Sequence, residues 1–156
     1  MHCGAEEPMT DHSEAHSFVR TFCEALSSHD ASKLRPMLAD DVEWTVFGPV
    51  DYFPFFGNRK GRDSVIEAMC SQIADHLRLV SCSPERMLVD GNKAASLVRV
   101  TAEHIPSGRM LAFRLAQFTK FRGGKLIEMR AILDSFDVVE QVLDATQARV
   151  KNVAFG

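Results

Sequence analysis

Two adjacent glycines constrain this chain more than any other feature. Gly123-Gly124 stands between alternating runs in FRLAQFTKFRGGKLIEMRAILDSFDVV, from Phe113 to Val139. Both residues of a two-residue hairpin turn need φ > 0, which glycine adopts without penalty. The stretch therefore reads as a β-hairpin in which Arg122 pairs with Lys125 and Phe121 with Leu126. Counting outward pairs Thr119 with Glu128, Gln117 with Arg130, Leu115 with Ile132 and Phe113 with Asp134. Side chains alternate along a strand, so these residues are expected on one sheet face, which then mixes aromatics with charged and amide groups.

A second turn extends that face. Pro106-Ser107-Gly108 fits a three-residue hairpin loop. Pairing Ile105 with Arg109 sets Glu103 opposite Leu111, Thr101 opposite Phe113 and Arg99 opposite Leu115. The reverse face then carries Val98, Val100, Ala102, Ala112, Ala116, Phe118, Met129, Ala131 and Leu133. That surface is too apolar to stay wet, and a homodimer through this outer sheet face would cover it. Periodicity leaves the opposite assignment open: the apolar face packs under the helices, and Arg99, Arg130 and Asp134 are solvated. A one-residue slip at either turn would exchange the faces.

Upstream, Asp11 and Glu14 resemble a capping box, and Phe18, Val19, Phe22, Cys23 and Leu26 recur at helical spacing up to Ser28-His29. Asp30 is placed to cap a short second helix reaching Leu38. A strand rich in β-formers follows from Val42 to Phe47. The segment GPVDYFPFFGNRKG, from Gly48 to Gly61, is a loop by its prolines and glycines, yet it carries Tyr52, Phe53, Phe55 and Phe56. So much aromatic surface predicts packing over a cavity mouth or against a second subunit. Arg62 to Leu79 reads as an amphipathic helix, strands run from Ser81, and 137–148 reads as a short closing helix. The plan is α+β, with helices gathered on a strongly curved, mainly antiparallel sheet. Residues 1–10 are expected to be a flexible tail and 11–156 one domain.

Composition excludes several classes. At 156 residues and a net charge of -3, nothing suggests nucleic acid or an anionic membrane as partner. Cys3, Cys23, Cys70 and Cys82 lack Cys-x-x-Cys spacing and read as reduced thiols of a cytoplasmic protein, outside any disulfide frame or zinc site. His12 and His16 have i, i+4 spacing without a third ligand nearby, so no metal site is expected.

Three segments carry a family resemblance: HDASKLRPMLADDVEW (29–44), PFFGNRKGRDSV (54–65) and GGKLIEMRAILDSFDVVEQVL (123–143). The chain resembles the SnoaL-like branch of the nuclear transport factor 2-like superfamily, which includes ketosteroid isomerase, limonene epoxide hydrolase and polyketide cyclases. The resemblance implies a cone-shaped fold enclosing one pocket, with Arg130 and Asp134 pointing into it. Two departures stand out. Thr101 replaces the second carboxylate that the epoxide hydrolases place two residues after their arginine. The pocket histidine expected of the cyclases has His104 as its only strand candidate, and the register above turns His104 away.

The expected site follows. Asp134, partly desolvated, is the general base, with Arg130 and Arg99 stabilising an oxyanion. Trp44, Phe47, Tyr52, Phe55, Phe56, Glu103, Phe113, Leu115, Gln117, Ile132 and Phe136 are expected to bind substrate. The expected function is cofactor-free proton transfer or water activation (isomerase, cyclase, hydratase or hydrolase) on a small, apolar, oxygenated molecule. The alternative is a non-catalytic dimeric module that binds a small hydrophobic ligand or a protein partner.

Overall fold

A computed structural model describes residues 11–143, with side chains from residue 14 onward. The expected tail at 1–10 and the end of the closing helix at 144–148 lie outside the described residues. Helix α1 (Asp11–Ser28) ends at His29, which takes a left-handed φ of 54°. No second helix follows. Asp30 Oδ1 instead accepts from Ser32 N at 2.9 Å, and a 3-10 turn over Arg35–Met37 leads into β1 (Leu38–Phe47). Pro36 supplies no backbone donor, which suits a single turn better than a helix.

The aromatic loop returns through a short strand, β2 (Gly57–Lys60). The next helical stretch comprises α2 (Arg62–Glu67), a π turn (Ala68–Gln72) and α3 (Ile73–His76). The strands β3 (Leu77–Asp90), β4 (Lys93–His104), β5 (Arg109–Arg122) and β6 (Lys125–Leu133) then meander, and a final helix, α4, occupies 135–143. They form one six-stranded sheet in the order β2-β1-β6-β5-β4-β3, antiparallel except for the β1–β6 pair. The sheet curves around α1 and the α2–α3 segment, giving the cone-shaped α+β fold.

The Gly123-Gly124 turn forms as the sequence demands, with φ of 56° and 75°. Arg122 pairs with Lys125 and Phe121 with Leu126; then Lys120 meets Glu128 and Ile127 is left as an extra residue, a β-bulge. Beyond the bulge every predicted β6 partner slips by one: Thr119 faces Met129, Gln117 faces Ala131 and Leu115 faces Leu133. The β4–β5 loop also differs by one. His104, not Ile105, pairs with Arg109, leaving the four-residue loop 105–108 closed by Gly108 at φ 69°.

Both slips have one physical cause. They bury Val98, Val100, Ala102, Met129, Ala131 and Leu133 on the inner face. The alternative would bury guanidinium and carboxylate groups, at a cost of several kcal/mol each unless fully paired. The inner and outer faces expected of β5 are correct; those of β4, and of β6 beyond the bulge, are exchanged.

Cys23 and Cys82 correct a second expectation. They form a disulfide across 59 residues with Cα atoms 5.3 Å apart, tying α1 to edge strand β3; Cys70 is free. Their separation in sequence hides a proximity that comes from α1 lying across β3. The argument from reduced thiols to the cytoplasm goes with it. Among the described residues, no helix is long and apolar enough to cross a membrane.

Candidate functional site: an apolar chamber under an aromatic roof

The concave side of the sheet and the helices enclose a chamber of about 70 Å³. Trp44 and Val46 of β1, Met129 and Leu133 of β6, Phe113 and Leu115 of β5, and Val100 of β4 form its wall. Phe22 and Leu26 of α1, Ala68 and Met69 of the π turn, Ile73 of α3, and Leu77 and Leu79 of β3 close the other side. A π turn carries an extra residue per turn and often marks a site where a helix must aim side chains inward. No charged side chain lines this chamber.

Phe55 and Phe56 form its roof. Their rings meet edge to face at 4.8 Å, and Phe53 packs against them at 5.7 and 5.3 Å. A Cβ at Gly48 would collide with the Phe56 ring, so glycine there lets the roof close down. Arg59 holds the loop in place, donating to Pro54 O at 2.9 Å and to Gln72 Oε1 at 2.6 Å.

Two imidazoles flank the roof. The His104 ring lies edge-on to Phe53 at 5.9 Å, and the His76 ring lies against Phe55 at 5.9 Å. The backbone brings them together: His104 pairs with Leu77, and Ile105 N donates to His76 O at 2.9 Å. His104 Nδ1 is 2.7 Å from Ser107 Oγ, and His76 Nδ1 is 3.0 Å from Gln72 O. Burial first, and the charge His76 can carry second, hold His104 below its ordinary pKa, which favours the neutral ring. Among the described residues the buried polar side chains are Ser96, His104, Gln117 and Thr119, and of these only His104 carries an ionisable group.

The expected site divides in two. Trp44, Phe55, Phe56, Phe113 and Leu115 line the chamber, whereas Gln117 does not line it and is buried one rung beyond Leu115 on β5. Asp134, Arg130 and Arg99 do not reach it; all three are exposed on the convex face. Asp134 Oδ1 accepts from Asp137 N at 3.1 Å and so caps the start of α4. Arg130 pairs with Glu128 at 3.4 Å. Arg99 and Arg114 share Glu85, at 2.7 and 2.8 Å. The hydrogen bond from Arg114, reinforced by that from Arg99, holds the Glu85 carboxyl below its usual range. Arg99, Arg114, Asp134 and Asp137 do line a shallow outer groove together.

The same slips correct Glu103, which pairs with Arg78, and Ile132, which faces outward. Phe47 points away from the chamber because it follows Val46, which points in; Tyr52 and Phe136 are exposed. Sequence reasoning missed the helix contribution, Phe22, Leu26, Met69 and Ile73. Their helical periodicity was visible but does not distinguish a chamber wall from a filled core. Among the described residues no cluster of three His, Cys, Asp or Glu side chains could hold a metal ion.

The chain matches a known family model, the SnoaL-like domain, over residues 19–129. The chain belongs to the SnoaL-like family. A crystal structure described as "Putative Isomerase from Rhodopseudomonas palustris" is 37% identical, covers 84% of this chain and 96% of its own, and superposes with a TM-score of 0.76. An LEH-like epoxide hydrolase from M. tuberculosis matches at 18% identity over 90% of this chain and 97% of its own, with a TM-score of 0.68. A protein described as "Putative SnoaL-like polyketide cyclase from Jannaschia Sp. CCS1" matches at 16% identity over 88% and 96%, with a TM-score of 0.70. At that identity the last two show a shared fold alone. No curated protein matches the chain.

Proposed function

We propose that this SnoaL-like protein is a small-molecule enzyme of the isomerase type. It would hold an apolar, oxygenated substrate in the chamber and move a proton without a cofactor. The observation that carries the reading is His104, a buried imidazole packed beside the aromatic roof of a chamber that no charged side chain lines. A neutral imidazole can remove a proton from the carbon next to a carbonyl and return it elsewhere on the substrate. Phe53 stands between His104 and the rings of Phe55 and Phe56, so substrate would reach the imidazole when Phe53 turns aside. The 37%-identical relative described as an isomerase supports this class. Asp134 has no part in it, because its exposed carboxylate caps a helix outside the chamber.

The test needs no known substrate. Small cyclic ketones incubated with the protein in D₂O should exchange their α-protons, followed by NMR. His104→Gln should slow that exchange roughly 100-fold or more, the usual worth of a general base. An unchanged rate in His104→Gln would remove His104 from the chemistry. Binding without exchange would favour the second reading, a ligand-binding module, whose support is that no acid or base lines the chamber itself.

The partner proposed for the convex face is a second copy of this chain. Leu88, Met110, Phe118 and Ile132 are exposed there. On β4 and β5 the half-buried Leu97 and Ala116 lie between them, giving a broad apolar surface of the kind that pairs with itself.

A further inference from the structure

Gln117 is a polar group that the fold leaves unsatisfied. Its side chain is 0% exposed, and its Nε2 has no hydrogen-bond partner. Its Oε1 receives only a long contact from Ser96 Oγ, at 3.4 Å. Native proteins keep few buried donors unpaired, because each forfeits its bonds to water without return. A chain selected for stability alone would place Leu or Met here.

Position gives the orphan a purpose. Gln117 pairs with Ser96 on β4 and Ala131 on β6, and Ala131 pairs with Val46 on β1. On one side of this rung stand Leu115 and Leu133, and on the other Met129 and Trp44, all lining the chamber. Gln117 thus lies between two rungs that contribute lining residues, without lining the chamber itself, and has small neighbours on both flanks. We infer that the Gln117 amide swings past its small neighbours Ser96 and Ala131 to become the chamber's polar anchor, its Nε2 donating a hydrogen bond to one acceptor oxygen on an otherwise apolar ligand. A ketone, aldehyde, ester or epoxide oxygen fits. The ligand is uncharged, since no charged side chain lines the chamber to offset the desolvation of an ion. A volume of about 70 Å³ restricts it to a small ring or short branched chain. The inference rests on the chamber being the binding site, as proposed above, and is independent of the role of His104.

The experiment compares cyclopentanone with methylenecyclopentane, which has the same shape and no oxygen. Binding of each is measured by NMR titration of the chamber methyl groups. The full-length protein should prefer the ketone about tenfold, the worth of one buried hydrogen bond. Gln117→Met, which keeps the volume and removes the amide, should lose that preference and bind the hydrocarbon as well as the parent does. Its melting temperature should equal or exceed the parent's, because an unpaired donor has gone; Gln117→Leu provides a second variant should Met pack poorly. Equal binding of the two probes by the parent, or a ketone preference that survives in the variants, overturns the anchor while leaving the chamber intact. Binding of neither probe overturns the chamber reading and this inference with it.

Discussion

At the scale of single residues, His104 gives a pH signature. Its pKa is depressed on folding from the ordinary 6.5, chiefly by burial. The unfolded chain therefore binds more protons than the folded one as pH falls through that range. Stability rises with pH there, is complete above about 6.5, and is lost as pH falls toward the folded pKa. Urea denaturation between pH 5 and 8 should show this decline, and His104→Gln should flatten it. Single residues were legible in sequence where strand phase was right. Trp44, Phe113, Leu115 and Gln117 lie on the inner face because the phase of β1 and β5 follows directly from alternation. His104 was assigned outward because its phase depended on whether the loop before Arg109 has three residues or four, and Pro106-Ser107-Gly108 is compatible with both.

At the scale of elements, the bulge at Ile127 decides most of what the sequence concealed. Leu126 and Ile127 are both apolar, so the pattern does not reveal which of them is the extra residue. Only the competition between burying Met129, Ala131 and Leu133 or burying Arg130 and Asp134 settles it, and that is a tertiary contest. The consequence is testable at Asp134. Asp134→Ala should cost about 1 kcal/mol by removing the cap of α4, measured by denaturant midpoint, with probe binding in the chamber unchanged. The disulfide joins α1 to β3 in the same way. Dithiothreitol, or Cys82→Ser, should lower stability by about 2–4 kcal/mol through the freedom regained by the unfolded chain, read as a lower melting temperature. Helix existence was plain from periodicity, whereas the early start of β3 at Leu77 was not, since Leu77 also continues the helical stripe of Val65, Met69 and Ile73.

At the scale of the molecule, the cone and its family were legible from three short segments. The contents of the chamber were not, because enclosure depends on the curvature of the whole sheet. The convex face carries the remaining prediction. Phe118 is 51% exposed and Ile132 48%, so Phe118→Glu or Ile132→Glu should convert a dimer to a monomer in analytical ultracentrifugation with the fold retained by circular dichroism. A parent that sediments as a monomer would remove the dimer proposal.

The rims of the sheet have their own consequence. Where β6 stops at Leu133, the Gln141 side chain meets the bare backbone of Ala112, accepting from its N and donating to its O, both at 3.0 Å. The outermost strands are blunted as well: β2 spans only Gly57–Lys60, and β3 breaks register around Ser81 and Pro84. A ribbon that can recruit no further strand cannot grow sideways into a filament. Under the dimer proposal, self-association would be directed to stacking of broad surfaces and would close after two copies.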